Sequence, residues 1–155
     1  MINLKEEIQT AVNVFKSGNL KKAEELTIKL LASNPKIAFL YNLLGLISVE
    51  QRKIEKAIEY YEEGLKIDPE FAIIYNNLGL IFFKNKPRKD LKKAEEYYKK
   101  ALSINKDIPE AYTNLGNLYT SRMQIDLAIS MHKKAIKISK NFVYAYLNLA
   151  NIYVS

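Results

Sequence analysis

Residues 72–102 read AIIYNNLGLIFFKNKPRKDLKKAEEYYKKAL. Tyr75, Leu78, Gly79 and Phe82 fall at i, i+3, i+4 and i+7, one face of an α-helix. Leu91, Ala94, Tyr98 and Ala101 or Leu102 repeat that spacing in a second helix, and Asp90 stands where its N-cap belongs. The stretch is therefore a helix pair. Its pattern recurs on either side: Tyr41, Leu44 and Gly45 precede it, and Tyr112, Leu115, Gly116 and Tyr119 follow. Gly45, Gly79, Gly116 and Ala150 are spaced by 34, 37 and 34 residues. Ala23, Ala57, Ala94 and Ala128 show the same three spacings. The two columns agree even on a three-residue insertion, Lys86-Pro87-Arg88. Small residues recur because two helices approach closely there, and a helical Gly costs about 1 kcal/mol against Ala without such a reason.

The repeat units are 4–37, 38–71, 72–108 and 109–142, with a first helix of a fifth at 143–155. Asn34-Pro35 and Asp68-Pro69 end second helices, because the residue before Pro is pushed out of the α region. Glu7 and Thr10 replace the Tyr and Leu of later units, so the first unit is expected to be a cap. The period and the Tyr-x-x-Leu-Gly…Ala pattern resemble the tetratricopeptide repeat, with Tyr in the position of the family's Trp. That resemblance implies an all-α, right-handed α-solenoid of antiparallel helix pairs, about nine helices in one array. The unpaired fifth first helix suggests a piece of a longer array. Val143, Tyr146, Leu149, Ala150 and Tyr153 are expected to pack back on the fourth unit, with self-association through 143–155 as one outcome.

Composition narrows the function classes. The 155 residues carry a formal charge of +7 and are 48% hydrophobic, and their longest apolar runs are far too short to span a bilayer. MINLKEEIQT has acidic residues where a signal peptide would be apolar, so a cytoplasmic location is the default expectation. With no Cys, disulfides, thiolate metal sites and Cys nucleophiles are excluded. There is no metal-ligand cluster, phosphate loop or nucleophile–base pair, so no catalytic residue, metal or cofactor is expected. His132 shares the column of Tyr61 and Tyr98 and reads as a packing residue. Glu24-Glu25, Glu62-Glu63 and Glu95-Glu96 read as a solvated face. Lys84–Lys100 holds eight cations against Asp90, Glu95 and Glu96, yet no aromatic is interleaved through Lys84–Lys93 as a base-stacking platform needs. Nucleic acid is disfavoured and the expectation is a solvated basic loop.

In this family the first helices line the concave surface. The column Gln9, Leu43, Asn77, Asn114, Asn148 lies there, with Val12, Leu46, Leu80, Asn117, Asn151 and Ile8, Asn42, Asn76, Thr113, Leu147 beside it. Asn is a poor helix-interior residue, and its carboxamide can pair with a peptide N–H and C=O together. Asn42, Asn76, Asn77, Asn114, Asn117, Asn148 and Asn151 are therefore the expected peptide-binding residues. The series resembles the asparagine ladder of O-linked N-acetylglucosamine transferases, which implies capture of an extended peptide backbone. The carboxylate clamp of chaperone-binding members needs cations that Asn42, Leu46, Asn77, Glu110 and Asn114 do not supply. The groove changes from Ile8, Val12, Phe15, Phe39, Leu43, Leu46, Ile73 and Leu80 to Asn114, Asn117, Thr120, Ser121, Asn148 and Asn151. The sequence thus reads as a non-catalytic protein- or peptide-binding scaffold. The alternative is the N-terminal targeting segment of a larger enzyme such as a glycosyltransferase.

Overall fold

The computed structural model describes residues 3–85 and 89–154. All regular structure among them is helical: α1 (Leu4–Lys16), α2 (Leu20–Ser33), α3 (Ala38–Glu50), α4 (Ile54–Ile67), α5 (Ala72–Lys84), α6 (Leu91–Ile104), α7 (Pro109–Ser121), α8 (Ile125–Ile138) and α9 (Val143–Val154). The inserted Lys86-Pro87-Arg88 lies outside the described residues. Asn34 and Asp68 are the C-caps of α2 and α4, each directly before a Pro. Asp90 caps α6, its carboxylate accepting from the backbone N–H of Lys92 and Lys93 at 3.0 Å. In α1 a capping box joins Asn3 and Glu6.

Two compact units divide the chain, residues 1–71 and 72–155. In the first, Ala11, Ala23, Leu30, Leu40, Leu43 and Ile47 form the core. Glu7 and Thr10 border a cleft of about 230 Å³ that Leu26, Lys29, Leu30, Ser33 and Asn34 complete. In later units Tyr and Leu stand at these two positions, and the leucines Leu44, Leu78 and Leu115 are buried. In the second unit, Ala72, Ile108 and Ala111 are buried together beneath Leu102 and Ile104.

Within three of the helix pairs, α3/α4, α5/α6 and α7/α8, a glycine meets a ring. An added Cβ on Gly45 would stand 2.2 Å from Tyr61, on Gly79 2.7 Å from Tyr98, and on Gly116 2.7 Å from His132. Tyr61, Tyr98 and His132 are all buried to within 1%. The glycine column therefore exists to seat the aromatic column of the second helix flat against backbone.

The first helices of three pairs end on a left-handed residue: Gly18 at φ 83°, Arg52 at 61° and Met123 at 59°. These sit seven residues after Ala11, Gly45 and Gly116. Left-handed backbone costs a residue with a Cβ about 1–2 kcal/mol, partly offset by the chain entropy that Gly brings to the unfolded state. Met123 is 82% exposed and loses no packing on truncation. Met123→Gly is expected to raise stability by about 0.5–1 kcal/mol, read as a higher denaturation midpoint. A lower midpoint would contradict the strain at this turn.

The last helix differs from expectation. Ala145 is its buried residue, with Asn148, Leu149 and Ile152 half-buried, while Val143, Tyr146, Ala150 and Tyr153 are exposed. Ala145 shares its column with Leu40, Ile74 and Ala111, each fully buried. Within the two units, Leu40 of that column is buried with Ala23 and Leu30 of the preceding pair, and Ala111 with Leu102 and Ile104. In complete pairs the Tyr-Leu-Gly stripe faces the pair's own second helix.

Candidate functional site

The first helices α5, α7 and α9 bring polar side chains together because they repeat the same column every 34 to 37 residues. Asn76, Asn77, Leu80 and Lys84 of α5 face Glu110, Thr113, Asn114 and Asn117 of α7 and Asn148 of α9. With Phe142 and Tyr144 they line a groove of about 410 Å³. Beside it, Asn117, Thr120, Ile125, Asn148, Asn151 and Ile152 line a second hollow of about 270 Å³ that shares two of the asparagines.

Six of the seven expected asparagines thus lie on this surface. Asn42 does not: it is 4% exposed, inside the other compact unit. Its column is inward-facing, and Asn76, at the same register, is 7% exposed. We remove Asn42 from the ligand set for that reason. Asn76 belongs to the site through its neighbour, since its Oδ1 accepts from Asn114 Nδ2 at 3.0 Å. Likewise Asn148 Nδ2 donates to Asn117 Oδ1 at 2.8 Å. Two amides of one column thus reach opposite ways, Asn114 to the column of Asn76 and Asn148 to the column of Asn117, and each pair fixes the orientation of both amides. Asn114 and Asn148 each keep an acceptor oxygen and one N–H beyond these bonds.

Two features add to the polarity. Thr113 is 5% exposed, and its Oγ1 has no hydrogen-bond partner among the described residues. An unpaired buried hydroxyl costs about 1–3 kcal/mol. Lys84 and Glu110, both exposed, make no ion pair within 4 Å among the described residues. Phe142 and Tyr144 meet edge to face, ring centroids 5.9 Å apart. The pattern reading passed over these two aromatics. Tyr144 stands six residues before Ala150, as Glu110 stands six before Gly116, so the column contained the signal.

The second helices carry a different device. Glu24 of α2 accepts from Gln51 at 2.8 Å and lies 3.7 and 3.4 Å from Lys53 and Lys56. The Gln51 hydrogen bond, against the cost of burial and with the two lysines, holds the Glu24 carboxyl below its ordinary value. At the same register Glu95 of α6 accepts from Tyr119 at 3.1 Å, Lys99 at 2.7 Å and Arg122. Burial alone would raise its pKa; Lys99, Arg122 and Tyr119 together outweigh it and hold it low. Glu24 thus anchors to the turn between α3 and α4, and Glu95 to the C-terminal end of α7, where the sequence had suggested a solvated face. Glu25, Glu62, Glu63 and Glu96 are exposed as expected.

Among the described residues no group of His, Asp or Glu could hold a metal ion, and no helix is long and apolar enough to cross a membrane. Lys93 is held over Phe82 at 4.2 Å and Tyr97 at 5.9 Å, so part of the basic stretch packs on its own aromatics.

Family models described as TPR repeat and tetratricopeptide repeat match residues 45–86, 72–108 and 97–130. No curated protein matches the sequence at a significant level. Among solved structures, a thermophilic TPR protein of Thermus thermophilus superposes with TM-score 0.85 at 21% identity, over 99% of this chain and 82% of its own. The Pseudomonas aeruginosa protein pilF does so with TM-score 0.85 at 20% identity, over 97% and 68%. The first TPR of Spaghetti, bound to the HSP90 peptide SRMEEVD, gives TM-score 0.68 at 21% identity, over 76% and 91%. At these identities the likeness is one of fold: an all-α solenoid of helix pairs.

Proposed function

The chain belongs to the tetratricopeptide repeat family, and from that premise we propose that it holds an extended polypeptide in the groove lined by α5, α7 and α9. The fold is that of a protein-interaction scaffold. One observation carries the finer reading: Asn76, Asn77, Asn114, Asn117 and Asn148 share a single groove. Amides offer a donor and an acceptor to a peptide unit without regard to its side chain. First helices lie about 10 Å apart and an extended chain advances about 3.3 Å per residue. Successive asparagines would then meet about every third ligand residue. The Spaghetti domain, with a peptide bound, supports the reading by analogy of fold.

The test is binding to an immobilised array of random-sequence peptides. Asn77→Ala with Asn114→Ala is expected to weaken the peptides that bind by about tenfold, at about 0.5–1.5 kcal/mol per lost hydrogen bond. The weakening should be similar across sequences, because backbone is being held. A variant with an unchanged helical melt and unchanged binding would refute the ladder.

A further inference from the structure

We infer that this groove selects its ligand by charge order: a basic side chain at the Glu110–Phe142–Tyr144 end and an acidic one at the Lys84 end. The inference rests on the peptide-binding reading above and adds a specificity to it. Glu110 is one of six acids against 14 cations in residues 72–155. In so basic a unit a carboxylate has many partners to choose from, as Glu95 shows with three. Glu110 has no ion pair among the described residues and lines the groove with the Phe142–Tyr144 pair. A carboxylate beside two aromatic rings suits a guanidinium, which stacks on a ring face while its N–H groups reach the acid.

At the other end Lys84 is the groove's one cation among the described residues. It is also without an ion pair among the described residues. The unit's excess of lysines adds a positive field that favours an acidic group there. Between the two charges lie only neutral groups: Asn76, Asn77, Thr113, Asn114, Asn117 and Asn148, with Leu80. The groove is therefore dipolar, and the dipole belongs to unpaired side chains rather than to a closed salt bridge.

The spacing follows from the repeat. Lys84 is five residues after Gly79 and Glu110 six before Gly116, so they are 11 helical steps apart on neighbouring first helices. At about 1.5 Å per step and about 10 Å between axes, their backbones stand about 19 Å apart. An extended chain covers that in about six residues. The expected ligand carries Arg or Lys and Asp or Glu about five to seven residues apart, in one fixed order.

A random-peptide display library selected on the whole chain tests this. Enriched peptides should share that basic–acidic pair in one order and spacing. The exposed residues Glu110 and Lys84 can be exchanged by Glu110→Lys with Lys84→Glu without touching the core. Selection on that variant should return the opposite order, and a wild-type-selected peptide should bind it at least tenfold more weakly. Enriched peptides that show no charge order, or that bind the exchanged variant equally well, would overturn the inference while leaving peptide binding intact. No enrichment above an unrelated control protein would overturn both.

Discussion

Gly45→Ala is expected to lower the unfolding free energy by about 3 kcal/mol, a large loss for a single methyl group. The new Cβ would stand 2.2 Å from Tyr61 Cε1 and 2.6 Å from Cδ1, far inside contact distance. Tyr61 is 1% exposed, so its ring has no room to swing aside, and relief must come from separating α3 and α4. Ala has the better helix propensity by about 1 kcal/mol, so any loss measured is a lower bound on the steric cost. Gly79→Ala should cost less, since the nearest ring atoms of Tyr98 are 2.7 Å away, and Gly79→Leu should cost more. Chemical denaturation resolves the series. If Gly45→Ala melts with the parent, the glycine column has some cause other than the aromatic it faces.

The second large effect is acid lability at His132. Its ring is fully buried, and neither Nδ1 nor Nε2 has a hydrogen-bond partner among the described residues. Burial lowers its pKa below 6.5, because the charged ring would lose water and gain nothing. Below about pH 6.5 the unfolded chain takes up a proton that the folded chain refuses. The unfolded state then binds more protons, so stability falls as pH falls, by up to about 1.4 kcal/mol per pH unit until the folded ring itself protonates. Above pH 6.5 the group contributes no pH dependence. His132→Phe should remove this slope between about pH 6.5 and 5, above the range where carboxylates titrate. It should also add about 1–3 kcal/mol at pH 7 by deleting two unsatisfied nitrogens. Phe supplies the six-membered ring that Tyr61 and Tyr98 place at this register and omits the hydroxyl, which in Tyr98 is buried without a partner among the described residues. Equal pH profiles for the two proteins would show that His132 reaches a proton acceptor after all.

The helices were legible because their cause is local and repeated: apolar spacing, Asp90 as a cap and the prolines after Asn34 and Asp68 all act within a few residues. The glycine column was legible as a close approach, but not the ring that it seats, since Tyr61, Tyr98 and His132 lie on the next helix. Glu24 and Glu95 were misread for a similar reason. Their partners Gln51 and Arg122 are 27 residues away, and a row of carboxylates on a helix looks solvated until the neighbour is in place. Among the asparagines, spacing identified the face but not depth. Asn42 and Asn76 stand at an inward register that the pattern of polar residues does not separate from the register of Asn77.

The bonds from Asn114 to Asn76 and from Asn148 to Asn117 run across the helices, each donated by the later helix to the earlier one. Backbone hydrogen bonds run along the helix axes and hardly lengthen when neighbouring helices are drawn apart. The two amide bridges lengthen at once. Mechanically they are ties between neighbouring first helices: they resist spreading of the groove and give way first when α5 is wedged from α7.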